Sequence, residues 1–353
     1  MIAELIEKIQ HAAANHQTLA IHGSGSKAFY GGEADGATLD VGQHRGIIDY
    51  APAELVLTAR AGTPLREIEL LLGEHNQMLA FEPPHFGPDA TLGGCVASGL
   101  SGPRRPYSGA VRDFVLGVGM LDGRGQQLKF GGQVMKNVAG YDVSRLMSGS
   151  LGTLGVLLDV SLKVLPRPAA ELSLQFECAQ QVSLQWVNAW AGQAIPVSAT
   201  CWQNEQLTLR LEGTPRALQA AHEKLAEKFG GERVAHNTAF WRDLREQRAA
   251  FFLSPLPLWR LSVPSTAAAL NLQGAQLIEW GGALRWLHSD AAPDTIRDAA
   301  AAVGGQATLF RGGDKHCGVF HPLPPALLAI QRRIKNNFDP HGVFNPRRLF
   351  KEF

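Results

Sequence analysis

Three glycine-rich segments, at residues 22–27, 88–99 and 149–156, constrain this chain more than any other feature. Glycine has no Cβ, so its backbone reaches dihedrals closed to other residues and lets another group come close, at an entropic cost on folding. Repeated clusters therefore point to backbone shaped around something. The first reads His22-Gly23-Ser24-Gly25-Ser26-Lys27 and follows a short strand-like run at 18–22. Consecutive small residues let several N–H groups converge on an anion, and Lys27 can add positive charge. A pyrophosphate suits such a loop; a tight turn without a ligand is the plainer reading. Gly23, Gly25 and Ala28 also match G-x-G-x-x-A, but that fingerprint needs a helix opening inside the loop. The chain instead continues Phe29-Tyr30-Gly31-Gly32 into polar sequence with no apolar helical period, which argues against a Rossmann nicotinamide site.

The second segment runs Pro88-Asp89-Ala90-Thr91-Leu92-Gly93-Gly94 and on through Ala97, Ser98 and Gly99 towards Gly102. It lies in a Gly- and Pro-rich stretch, 81–102, too long for a simple connector. Thr91 and Ser98 supply hydroxyls, and Gly93 and Gly94 remove side chains where backbone would touch a ring or phosphate. The third segment is Gly149-Ser150-Leu151-Gly152-Thr153-Leu154-Gly155-Val156, entering a strand pattern at 155–165. Upstream of it stands Lys136-Asn137-Val138-Ala139-Gly140-Tyr141-Asp142. For both segments a structural turn is the competing reading.

Around these segments the pattern is mixed. Leu5, Ile6, Ile9 and Ala13 share one helical face. Residues 55–61 read as a strand, and Thr63-Pro64 as N-cap and first residue of a helix whose buried stripe is Leu65, Ile68, Leu71 and Leu72. Residues 114–121 and 127–130 read as paired strands about the turn Asp122–Gly125, and 141–148 as a short helix. Pro166-Arg167-Pro168 marks a boundary; beyond it Thr214-Pro215 opens a helix to about Gly230, and residues 324–338 form a last amphipathic helix. A chain of 353 residues exceeds what one core usually supports, so two domains are expected. A net charge of +1 offers no footprint for a nucleic acid. Four scattered cysteines, Cys95, Cys178, Cys201 and Cys317, build neither a disulfide scaffold nor an iron–sulphur or zinc site and suit a reducing compartment. No apolar run is long enough to span a bilayer, and the early acidic residues do not suit a secretory signal. A cytoplasmic protein, meeting the membrane only through a partner, is expected.

The order and spacing of the three segments resemble the PCMH-type FAD-binding domain of the vanillyl-alcohol oxidase and D-lactate dehydrogenase flavoproteins. The end of the chain, Phe338-Asp339-Pro340-His341-Gly342-Val343-Phe344-Asn345-Pro346, resembles that family's closing motif. The run KNVAGYDVSRLMSGSLGTLGVLLDVSLKVLPRP is similar to the FAD-binding subunits of bacterial glycolate oxidase (glycolate dehydrogenase) complexes. The resemblance implies an α+β fold: a two-subdomain FAD-binding domain over 1–166, a reduced αβ cap over 167–323, and a C-terminal segment, 324–353, packing back on the first. It implies that residues 22–27 hold the FAD pyrophosphate, that residues 89–94 and 152–156 line diphosphate, ribitol and isoalloxazine, and that Asn345 lies near the ring. Relatives that tether FAD do so through a His in a Gly-His-Ser context; here that place reads Gly-Ser-Gly-Ser, so non-covalent binding is expected. It further implies a larger FAD-linked catalytic subunit and an iron–sulphur subunit as partners, with glycolate or a related short 2-hydroxyacid such as D-lactate as substrate.

The catalytic pattern is where the chain departs. Two-hydroxyacid members of the family carry a cap metal held by an H-x-G-D-G-N-x-H segment and a Gly-Glu-His-Gly segment. The first is missing; its counterpart, residues 280–288, holds only His288. The second reads Gly313-Asp314-Lys315-His316-Cys317-Gly318, with Lys315 at the place of the ligand Glu and His316 at that of the base. An ammonium there repels a cation, so no metal is expected. His316 is then either a base in a metal-free site, with Lys315 or Arg311 holding a carboxylate, or a relic hydrogen-bonded in the core. Trp202, Trp241, Trp259, Trp280 and Trp286 suit a core or a subunit interface better than a substrate cage. Three function classes follow: a subunit of a complex, a self-sufficient dehydrogenase, or a non-catalytic flavin subunit that is structural or relays electrons.

Overall fold

Antiparallel pairing dominates both halves of the molecule. A computed structural model describes residues 1–132, 141–234 and 237–353; residues 136–140 of the motif ahead of the third segment lie outside the described residues. The chain forms two compact units, one of residues 1–100, 110–166 and 318–353, the other of 101–109 and 167–317.

In the first unit five strands pair antiparallel in the order Ile47–Ala51, Val56–Arg60, Val156–Lys163, Val115–Leu121, Gln127–Gly131. Apolar side chains from the sheet and from the helix Leu65–Glu74 close one core, with Leu57, Ile68, Phe81, Val96 and Val160 fully buried. A second core gathers Leu5 and Ile9 of the helix Ile2–Ala14 with Leu39, Val343 and Phe344. Beside it Leu19–His22 pairs in parallel with Ala37–Asp40. No helix intervenes between those two strands, so the G-x-G-x-x-A match does not open a Rossmann helix.

Two local expectations are corrected. The helix Leu65–Glu74 has Pro64, not Thr63, at its N-cap. The Thr63 hydroxyl instead binds Gly46, accepting from its N–H at 2.9 Å and donating to its carbonyl at 3.2 Å. The second glycine segment is no open loop: Leu92–Ser98 is helical, capped by Thr91, whose hydroxyl accepts from Gly94 N, and ended by Gly99 at φ 68°. Adjacent glycines disfavour a helix, and the two caps offset that.

Among the described residues the second unit is built on eight antiparallel strands. Two cores, one around Leu174, Trp190, Leu209 and Leu225, the other around Trp259, Leu287, Ile296 and Leu309, bind helices to it. Thr214 caps Pro215–Phe229 as its sequence suggests. Trp241, Trp259, Trp280 and Trp286 are buried and Trp202 half-buried. The segment 101–109 is pinned here: Arg104 pairs with Glu212, the Trp280 indole donates to Gly102 O at 3.1 Å, and the Arg105 guanidinium lies 4.4 Å from the Trp280 ring.

The last helix, Pro325–Phe338, buries only Lys335. Its ammonium donates to Asp339 Oδ2 at 2.6 Å, Thr153 O at 2.8 Å and Phe344 O at 2.8 Å. Burial lowers the Lys335 pKa, and Asp339 opposes that shift. Asp339 in turn accepts from Val343 N at 2.9 Å and Phe344 N at 2.8 Å. All three ammonium donors are therefore satisfied. Asp339→Ala strands a buried ammonium and two amides, and should destabilise the fold by about 3–5 kcal/mol, read from urea unfolding by circular dichroism. A loss below about 1 kcal/mol, the worth of an exposed pair, would contradict this account of the pair.

Candidate functional site

The first-unit parts of all three glycine segments meet around the strand Leu19–His22. That strand is held on one side by Ala37–Asp40 and on the other by the C-terminal segment, with Leu19 N donating to Val343 O at 2.7 Å and Asn345 N to Leu19 O at 3.0 Å. The loop 22–27 leaves the strand's end. A Cβ on Gly23 would lie 2.6 Å from Thr91 Oγ1, so the first and second segments touch at a point where a side chain would crowd Thr91. Lys27 donates to His85 O at 3.2 Å, in the stretch 81–102 that carries the second segment. The third segment docks on the helix Leu92–Ser98: Gly149 N donates to Val96 O at 3.0 Å and Leu151 N to Ala97 O at 2.8 Å.

Asn345 closes the arrangement. Its Oδ1 accepts from Ile21 N at 2.8 Å and its Nδ2 donates to Leu151 O at 2.6 Å. It is 4% exposed, and both ends of its amide are engaged within the chain. A Cβ on Gly152 would come within 2.6 Å of Asn345 Nδ2. Asn345 thus ties the strand that feeds the loop to the turn of the third segment.

What this leaves open is a row of donors. Among the described residues nothing accepts from the amides of Gly23, Ser24 and Gly25. Ser24 and Gly25 are exposed, His22, Gly23 and Ser26 half-buried. Gly25 has φ 74°, and a Cβ there would meet nothing within 4 Å. Unengaged N–H groups on such a turn make an anion-binding concavity. The hydroxyls singled out in sequence are engaged locally: Thr91 caps its helix, Ser98 Oγ donates to Cys95 O at 3.0 Å, and Thr153 Oγ1 to Ser150 O at 2.8 Å.

Several other predicted residues serve packing. Gly93 lets its helix approach the end of Val56–Arg60, since a Cβ would fall 2.8 Å from Ala61 Cβ. A Cβ on Gly155 would sit 2.3 Å from Met120 Cε, and Leu92 and Val156 are fully buried. Pro88 and Asp89 are exposed, and Asp89 faces Arg66 at 3.2 Å. Cys95 is buried, which pushes its thiol up to about 12 and removes thiolate chemistry. Gly102 belongs to the second unit. The Lys335–Asp339 pair is not evident from the motifs; the i,i+4 spacing is its signal in the sequence.

Lys315 and His316 lie on a short 3₁₀ turn, Lys315–Cys317, of the second unit. His316 is exposed, with its N–H donating to Asp314 Oδ1 at 2.8 Å, so the reading of it as a core residue is corrected. Arg311 donates to Gln247 Oε1 at 2.6 Å, and burial lowers its pKa. Among the described residues no three His, Cys, Asp or Glu side chains are grouped to hold a metal, and no helix is long and apolar enough to cross a membrane.

Comparison with known proteins places this geometry. Residues 1–131 match a family model described as an FAD binding domain. Glycolate oxidase subunit GlcE of Escherichia coli (strain K12) is 51% identical over 348 residues, 99% of this chain and 97% of that protein. Glycolate oxidase subunit GlcD of Bacillus subtilis (strain 168) is 31% identical over 119 residues, 33% of this chain and 25% of that one. A solved structure of alkyldihydroxyacetonephosphate synthase superposes over 98% of this chain and 75% of its own, with a TM-score of 0.67 at 14% identity, a likeness of fold. The residues fit such a cofactor: amides with no acceptor among the described residues line a small-residue loop.

Gly93→Ala should destabilise by about 1–3 kcal/mol through overpacking against Ala61, whereas Gly25→Ala should cost only the left-handed backbone penalty of about 1–2 kcal/mol. Thermal unfolding with amide exchange separates them: only Gly93→Ala should loosen the helix Leu92–Ser98. Equal loosening by both would contradict the packing role of Gly93.

Proposed function

The chain belongs to the glycolate oxidase subunit GlcE family, and from that premise we propose an FAD-binding subunit that takes part in oxidising glycolate, or a related short 2-hydroxyacid, to the 2-oxoacid. The observation that carries the reading is the convergence of the three glycine segments on unengaged amides at Gly23, Ser24 and Gly25. When bound, FAD supplies the two-electron chemistry, and the protein supplies binding, orientation and electrostatics.

The roles of the chain's residues follow from where they stand. The loop 22–27 donates backbone N–H groups to the pyrophosphate. Thr91, Gly93 and Gly94 and the turn 149–153 flank it, and Asn345 sets their spacing rather than contacting the ring. No histidine replaces a loop residue between Gly23 and Lys27, so the cofactor is held without a covalent tether.

The partners are a larger FAD-linked subunit, which carries the substrate site, and an iron–sulphur subunit, which takes the electrons onward. Four scattered cysteines give this chain no cluster of its own to pass electrons through. The assembly is cytoplasmic and meets the membrane through those partners. A second reading, a flavin that relays electrons without meeting substrate, is favoured by Lys315 at the position of a ligand acid and by the exposure of His316. A self-sufficient dehydrogenase would need a substrate site around that same pair.

The purified chain should be yellow, and denaturation should release its FAD intact. Anaerobic glycolate or D-lactate should leave the flavin of the isolated chain oxidised and bleach it once the larger subunit is added. Bleaching of the isolated chain, abolished by His316→Ala, would overturn the dependence on a partner. A colourless protein that takes up no added FAD would sink the reading.

A further inference from the structure

The C-terminal tail holds the proposed cofactor loop by more than Asn345. The Arg348 guanidinium reaches back over the chain to three carbonyls: Nη1 donates to Gly32 O at 2.7 Å, and Nη2 to Tyr30 O at 2.8 Å and Ala28 O at 3.1 Å. The backbone returns the contact, with Gly32 N donating to Arg348 O at 2.8 Å. Space there is closed, since a Cβ on Gly32 would lie 2.4 Å from Arg347 O and one on Gly31 would lie 3.1 Å from Arg348 O. Residues 28–32 form no helix or strand, so these bonds set much of their path. The same residues follow the amides at Gly23, Ser24 and Gly25 after Ser26 and Lys27. Next to Arg348, Asn345 fixes the other end of that loop through Ile21 N.

We propose that residues 345–348 form a strap that shapes the loop between Ile21 and Gly32 for the cofactor pyrophosphate, with Arg348 and Asn345 as its positioning residues. Neither side chain needs to touch the cofactor. A planar fork with five donors spans several carbonyls that a single ammonium point charge does not match in geometry. Preorganised donors bind tightly because the ordering cost is met on folding rather than on binding. Loosening the strap therefore weakens ligand binding while the cores around Leu57 and Leu39 stay intact.

The proposal rests on the FAD reading, and the experiment separates the two. FAD is titrated into the apo forms of the wild type, Arg348→Met, Arg348→Lys and Asn345→Ala, with affinity read from flavin fluorescence. The urea midpoint of each apo protein is measured alongside. Arg348→Met should raise the Kd about tenfold or more, the worth of a lost set of charge-assisted hydrogen bonds. Arg348→Lys, the milder change, should move it in the same direction by less and keeps the test open if the Met variant does not fold. Folded variants that bind FAD within about twofold of the wild type would overturn the strap. So would lowered midpoints with an unchanged Kd in the folded fraction, which mark a role in stability alone. A wild type that takes up no FAD would overturn the cofactor reading, and the strap's purpose with it.

Discussion

The ammonium of Lys335 sits in the interior of the first unit, where it donates to oxygens of Thr153, Asp339 and Phe344. Removing a charge from water costs several kcal/mol, which good geometry and full hydrogen bonding can repay. Both are present: the carboxylate of Asp339 also accepts from Val343 and Phe344. The consequence is positional. One buried pair fixes the end of the last helix, the turn of the third glycine segment and the chain leading to Asn345. From there the side-chain amide of Asn345 reaches Ile21 and Leu151, and Arg348 reaches the carbonyls of residues 28–32. The geometry of the glycine loop is thus set by side chains remote in sequence.

That remoteness explains what the sequence could and could not reveal. The strand Leu19–His22, the paired strands Val115–Leu121 and Gln127–Gly131, and the capped helix Pro215–Phe229 are all legible, because short-range pattern and turn chemistry determine them. The helix Leu92–Ser98 is not, because Gly93 and Gly94 look like breakers when their neighbours are invisible. Gly93 is there for the approach of Ala61, a tertiary reason. The same holds for Thr63, whose hydroxyl prefers Gly46 to the helix it precedes. The resemblance puts Asn345 near a flavin ring; that its amide is engaged by two backbone groups of its own chain is tertiary and not legible in the pattern.

The second unit carries the contrast. Trp241, Trp259, Trp280 and Trp286 are buried in it, and polar side chains such as Arg104 and Glu212 are matched to one another. Lys315 and His316, the remnants of a catalytic pattern in sequence, stand on a short turn with His316 exposed. Family membership therefore speaks for flavin chemistry in the first unit, and among the described residues no three His, Cys, Asp or Glu side chains are grouped to hold a metal.

The three glycine segments and the C-terminal tail are proposed to form one cofactor cradle within the first unit. Amide hydrogen exchange of the full chain, with and without FAD, tests it most directly. The account predicts protection on adding FAD at residues 22–32, 88–94, 149–156 and 343–348 together, with the amides of Gly23, Ser24 and Gly25 changing most. Protection absent from these segments, or confined to residues 167–317, would contradict it.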